Sequence, residues 1–200
     1  KKRLVAAWAV DDHTINAVRL AIELGIVEGT LVGDENMINA VCKEEGIDPS
    51  IFNIVHNESE LKSIAQAVDI INAGEGDILM KGLCSTDKYM RAILKKEGGL
   101  LPPKAVLSHL SVLKNENYHK FIILGDMAVI PAPDLKQKEA ITNYLVKAAQ
   151  ALGIETPKVA FIAATEQMLP GMQACVDAAI LSKMADRGQI KGCVADGPLA

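Results

Sequence analysis

Two hundred residues, half of them apolar and 23% charged, with a formal net charge of −4, suffice for one large domain or two small ones around a sizeable core. Acids and bases are mixed along the chain, so there is no clustered Lys/Arg footprint for nucleic acid. No apolar run approaches the roughly 18 residues of a membrane span.

Three Phe, three Tyr and one Trp leave the core to Val, Ile, Leu, Ala and Met, which is an α/β composition. Lys1, Lys2 and Arg3 ahead of Leu4 to Val10 imitate a signal peptide. Asp11, Asp12 and His13 cut that run short, however, and it reads as a buried first strand. Strands are then expected at Thr30 to Val32, Ile51 to Val55, Asp77 to Met80, Ala105 to Leu113, Phe121 to Leu124, Val159 to Ala163 and Gly192 to Ala195. Helical periodicity fills the gaps at Thr14 to Leu24, Glu35 to Glu45, Glu58 to Ala73, Asp87 to Lys96, Lys136 to Leu152 and Met172 to Arg187. In the first of these, Ile15, Val18, Ala21 and Ile22 share a face and Gly25 is a stop signal. The alternation predicts βαβ units around a largely parallel sheet. Pro131 and Pro133 interrupt it, so a boundary is expected near residues 128 to 137, dividing a first α/β domain, 1–130, from a second, 131–200.

Ligands of open α/β sheets bind at the carboxyl ends of strands, so the polar residues after the apolar runs are the first candidates for chemistry. Lys81-Gly-Leu-Cys-Ser-Thr86 follows one strand and opens a helix carrying Arg91. Ser85, Thr86 and the backbone N–H groups there can cradle an anion to which Arg91 adds a bidentate contact. The plainer alternative is that Ser85 or Thr86 caps the helix and Arg91 is a surface residue. Ser108 and His109 lie in a strand-like run, Asp126 follows Phe121 to Gly125, and Asp196 with Gly197 follows Gly192 to Ala195. A strand histidine is more often buried and satisfied than catalytic, and an Asp at a strand end is more often a loop cap.

The four cysteines are scattered, with no Cys-x-x-Cys pair, which fits free thiols in a reducing cytoplasm and no zinc or redox dithiol. Cys84 with His109 could form a thiolate pair, but a small buried side chain is the expected role of Cys84. No dinucleotide, P-loop, serine-hydrolase or zinc-protease motif occurs.

The tail, Val159-Ala-Phe-Ile-Ala-Ala-Thr-Glu166, Asp177 to Gly192 and Asp196-Gly-Pro-Leu-Ala200, closely resembles the phosphate acetyl/butyryltransferase family, its butyryltransferase branch in particular. Leu31-Val-Gly-Asp34, Asp77 to Gly82, Thr86 to Leu94 and Leu107-Ser-His-Leu-Ser-Val112 fall in the matching order. The resemblance implies reversible transfer of a short acyl group, butyryl favoured, between coenzyme A and inorganic phosphate. The implied fold is isocitrate-dehydrogenase-like, with two three-layer α/β/α domains, the second incomplete in this chain, and a cleft between them. It implies Arg91, Ser108 and Asp126 as catalytic candidates and Ser85, Thr86, Asp196 and Gly197 as substrate-binding ones. It implies acyl-CoA and phosphate as partners, no metal, no cofactor beyond coenzyme A as substrate, and a homo-oligomer, at least a dimer. The family continues past Asp-Gly-Pro-Leu-Ala to a Ser-Arg pair and an Asp assigned to catalysis, which lie outside these 200 residues. Two other classes stand beside this reading: an oxidoreductase of the same fold, and a noncatalytic coenzyme A or anion-binding module.

Overall fold

The N-terminal apolar run forms β1 (Lys2–Ala7), from which a parallel sheet grows in both directions. The computed structural model describes residues 1–200, which separate into two units, Lys1–Pro103 and Lys104–Ala200. In the first unit β1 is followed by α1 (Asp12–Glu23), β2 (Val27–Gly33), α2 (Glu35–Glu45), β3 (Asn53–His56), α3 (Glu60–Asn72), β4 (Ile78–Lys81) and α4 (Thr86–Leu94). The strand order is β3-β2-β1-β4, all parallel.

Successive residues of β1 face opposite layers, as strand geometry requires. Leu4 and Ala6 pack with Ile15 and Val18 of α1 and Ile38 and Cys42 of α2. Val5 and Ala7 pack with Ile64 and Ala67 of α3, Cys84, and Tyr89 and Ala92 of α4. Helices therefore cover both faces, which is why β1 reads as a continuous apolar run. Full burial of Ile15, Leu31, Ile38 and Ile64 contributes about 2 kcal/mol each.

Short polar side chains start three of these helices. Asp11 accepts the N–H of Thr14 at 2.9 Å, Asp34 that of Asn36 at 2.8 Å, and Ser59 that of Lys62 at 3.5 Å. Several limits differ from the periodicity. The first strand stops at Ala7 because Trp8, at φ 54°, turns the chain out of the sheet into α1. A 3-10 turn, Pro49–Ile51, takes the start of the expected third strand, capped by Asp48, whose side chain accepts the Ser50 N–H at 2.9 Å.

The second unit contains β5 (Ser111–Leu113), β6 (Ile122–Leu124), α5 (Leu135–Ala151), β7 (Lys158–Ile162), α6 (Gln173–Asp186) and β8 (Val194–Leu199). β5 and β6 pair antiparallel, β7 and β8 parallel. Of the expected strand Ala105 to Leu113 only the last three residues pair, so Ser108 and His109 lie outside the ladder. The prolines at 131 and 133 fall inside this unit, because the β5–β6 hairpin before them packs on α5 after them. α5 opens with a capping box between Asp134 and Gln137. No helix is long and apolar enough to cross a membrane.

Candidate functional site

The order β3-β2-β1-β4 puts a topological switch between β1 and β4, where successive connections leave in opposite directions. In open α/β sheets the crevice beyond the carboxyl ends of such a strand pair is the usual ligand position. The loop Gly82 to Ser85 leaves β4 at this point and enters α4 at Thr86. It is anchored to the last residue of β1 and to Trp8 after it by two backbone bonds: Gly82 N–H donates to Ala7 O and Leu83 N–H to Trp8 O, both at 3.0 Å. The approach is so close that a Cβ on residue 82 would lie 2.7 Å from Ala7 O, which explains glycine there.

Ser85 and Thr86 are exposed at the start of α4. Ser85 occupies the cap position, yet its hydroxyl makes no capping bond, so the plain capping role is not what the residue does. Glu60, the first residue of α3, reaches the cap residue's own backbone: its Oε1 accepts the Ser85 N–H at 2.9 Å and its Oε2 pairs with Lys88 Nζ. The Lys88 ammonium and the Ser85 N–H hold the Glu60 carboxyl below its ordinary range, against the opposing effect of burial. Arg91 lies on the exposed side of α4 and pairs with Asp87 at 3.1 Å, one turn closer to the helix start. The sequence reading named Ser85, Thr86 and Arg91 as candidates here and did not name Glu60. Nothing local signals Glu60, because it reaches the loop from another helix, 25 residues from Ser85 in the chain.

Cys84 is buried beside the same loop with its sulfur 3.8 Å from Ala7 O. Burial pushes its thiol up, only partly offset by Lys81, so it is not a thiolate near neutrality. Cys84→Ser in the complete protein is accordingly expected to keep activity within about threefold, as the hydroxyl can donate to the same carbonyl. Trapping of an acyl group on Cys84 by mass spectrometry would restore the nucleophile reading.

In the second unit Asp126 follows β6 and organises the chain around it. Its Oδ1 accepts the N–H groups of Ala128 and Val129, both at 2.8 Å, and its Oδ2 that of His109 at 3.0 Å. Burial raises this carboxyl, but these three N–H groups and the Ser108 hydroxyl outweigh it and hold it well below the carboxylate range. Asp126 is therefore a fixed anion. Ser108 is half-buried, and its hydroxyl lies 3.5 Å from His109 O. His109 keeps a buried Nδ1 without a hydrogen-bond partner.

Asp196 and Gly197 lie inside β8 rather than after it, because β8 extends to Leu199 through an irregular register opposite β7. Asp196 is exposed and its Oδ1 accepts the N–H of Gly197 at 2.8 Å. Gly197 is buried, and a Cβ there would meet the Phe161 Cβ at 2.7 Å.

The same unit holds a pocket of about 390 Å³ whose lining includes Leu124, Asp126, Lys138, Phe161 and Asp177. Its lining includes an ion pair between Lys138 on α5 and buried Asp177 on α6, at 2.6 Å, with Gln173 Nε2 donating to the second Asp177 oxygen at 2.8 Å. No group of three or more His, Cys, Asp or Glu side chains is placed to hold a metal ion.

Comparison with known proteins identifies the family. The family described as Phosphate acetyl/butaryl transferase matches residues 60–200. A phosphate butyryltransferase of Clostridium acetobutylicum is 44% identical over 199 residues, covering 100% of this chain and 66% of that protein. A phosphate acetyltransferase of Thermotoga maritima is 37% identical over 202 residues, covering 100% and 67%. The chain thus spans about two thirds of the length of these relatives. In fold it matches the crystal structure of a branched-chain phosphotransacylase from Enterococcus faecalis V583, with a TM-score of 0.84 at 24% identity, over 100% of this chain and 69% of that one. With the family match reaching from the start of α3 through α4 to Ala200, and the kinship at 44% extending over every element of both units, the chain belongs to the phosphate acetyl/butyryl transferase family.

Proposed function

We propose that the complete protein is a phosphate acyltransferase that moves a short acyl group, butyryl in preference to acetyl, between coenzyme A and inorganic phosphate. The observation that carries the reading is identity of 44% along the whole chain with a phosphate butyryltransferase. The α4 start supports it: exposed Ser85 and Thr86 with an uncommitted cap hydroxyl suit an anion of several oxygens, and the exposed Arg91 stands in the last turn of the same helix.

In the reaction a phosphate oxygen attacks the thioester carbonyl, the carbon–sulfur bond breaks, and the coenzyme A thiolate leaves and takes up a proton. Ser85, Thr86 and Arg91 would hold phosphate or the phosphoryl end of the acyl phosphate. Ser108 and Asp126 are kept as catalytic candidates. The ordered carboxylate of Asp126 supports an electrostatic or orienting role, since a strongly acidic carboxyl is a weak general base. Asp196 and Gly197 are kept as binding candidates, and the exposure of Asp196 supports its place there.

The isocitrate-dehydrogenase-like description and the division at 130/131 belong to the same reading. Cytoplasmic location is supported by four unpaired cysteines, and assembly as a homo-oligomer rests on the family relationship.

The test is release of free coenzyme A thiol from butyryl-CoA by the complete protein, with and without phosphate. Phosphate-dependent release, faster than from acetyl-CoA, is expected. No phosphate dependence would overturn the activity, and equal rates on the two thioesters would overturn the acyl preference.

A further inference from the structure

Resting on the placement of phosphate at the Gly82 to Thr86 loop, we propose that Glu60 is a positioning residue that competes with phosphate for the Ser85 N–H and the Lys88 ammonium and yields both when phosphate binds. The Glu60 carboxylate takes at once the Ser85 N–H, at 2.9 Å, and the Lys88 ammonium. A backbone N–H at a helix start and a nearby cation are the donor types that recognise phosphate oxygens. Arg91 is occupied in the same manner by Asp87. Both cations of α4, Lys88 and Arg91, are thus paired with carboxylates of their own chain.

Glu60 differs from Asp87 in standing on another element. It is the first residue of α3, with a side chain one-quarter exposed. The capping bond that starts α3 comes from Ser59 rather than from Glu60. Rotation of the Glu60 side chain therefore frees Ser85 N–H and Lys88 together and leaves both helices intact. Phosphate carries more charge and more acceptor oxygens than a carboxylate, so it competes for the same donors. Glu60 left in place would repel it. The apparent phosphate affinity is lowered by the fraction of molecules in which Glu60 holds the loop.

Glu60→Gln in the complete protein keeps an oxygen for the Ser85 N–H and removes the charge that holds Lys88. The KM for phosphate, measured with butyryl-CoA, is expected to fall about threefold to tenfold, with the KM for butyryl-CoA within about twofold of the parent. Adding Lys88→Met returns the phosphate KM to the parent value or above it, because the released cation is gone.

A purely structural clamp predicts instead a lower melting temperature and a phosphate KM unchanged or raised, which overturns the proposal. Glu60→Asp is the second variant if Glu60→Gln does not fold. It keeps the charge but is too short to hold both partners, and it is expected to lower the phosphate KM at least twofold. A value at or above the parent's overturns the proposal equally.

Binding is read separately from the melting shift produced by inorganic phosphate alone, which is expected to be larger in Glu60→Gln than in the parent. Absence of acyl-CoA turnover in the parent would fell the functional reading, while this melting shift still decides the role of Glu60.

Discussion

Arg91→Ala in the complete protein is expected to lower kcat/KM for phosphate by about 100-fold, the scale of removing a donor aimed at developing negative charge. The same loss is expected in the reverse direction, with acyl phosphate and coenzyme A as substrates. Arg91→Lys recovers little, because an ammonium cannot reproduce the planar fork that binds two oxygens together. The structure makes this a clean experiment. The Arg91 side chain is 79% exposed, and its one ion pair, with Asp87, is a solvent-screened pair within a helix, an interaction that adds little to stability. The melting temperature should therefore stay within about 1 °C of the parent, a shift too small to signal a folding defect. Unchanged kinetics for both variants would remove Arg91 from the site and leave the loop without its guanidinium.

Lys138→Met is expected to act on folding rather than on turnover. Asp177 is nearly fully buried, with a side chain 3% exposed, and Lys138 is its cationic partner at 2.6 Å. Burial alone pushes the Asp177 carboxyl up, and Lys138 with Gln173 brings it below its ordinary range. Removing the ammonium leaves a buried carboxylate with only the amide. Breaking such a pair costs about 3–5 kcal/mol when both groups are buried. Lys138 is 26% exposed, so solvent screening reduces the expected loss to about 2–3 kcal/mol. For a chain of this size that is a fall in melting temperature of roughly 5–10 °C. The double variant Lys138→Met, Asp177→Leu should recover most of it, because an apolar pair can replace an ion pair at little cost. A single variant that melts within about 1 °C of the parent would show that α5 and α6 do not depend on this contact.

The candidate site divides into what a linear reading can find and what it cannot. Lys81 to Thr86 and Arg91 were accessible because a Gly-containing polar loop after an apolar run, followed by an amphipathic helix, is a local pattern. Asp126 was accessible as an acid after a strand. Its partners were not, since His109 N–H reaches it from 17 residues away. Glu60 and the Lys138–Asp177 pair carry no local mark, for their partners lie 25 to 39 residues distant.

The sequence by itself determined the alternation of strand and helix, because each strand covered on both faces is a continuous apolar run and each helix carries one apolar face. It also determined most helix starts, which depend on side chains a few residues apart such as Asp11, Asp34, Ser59 and Asp134. Only the tertiary structure decided that β4 joins the far side of β1, which creates the switch where the loop sits. It likewise decided that the chain from Ala105 to Leu110 does not pair, although its residues suit a strand. It decided too that Asp196 and Gly197 lie within β8. Strand order, partner choice and long-range carboxylate contacts depend on which surfaces meet once helices and strands are packed, and those meetings have no fixed spacing along the chain.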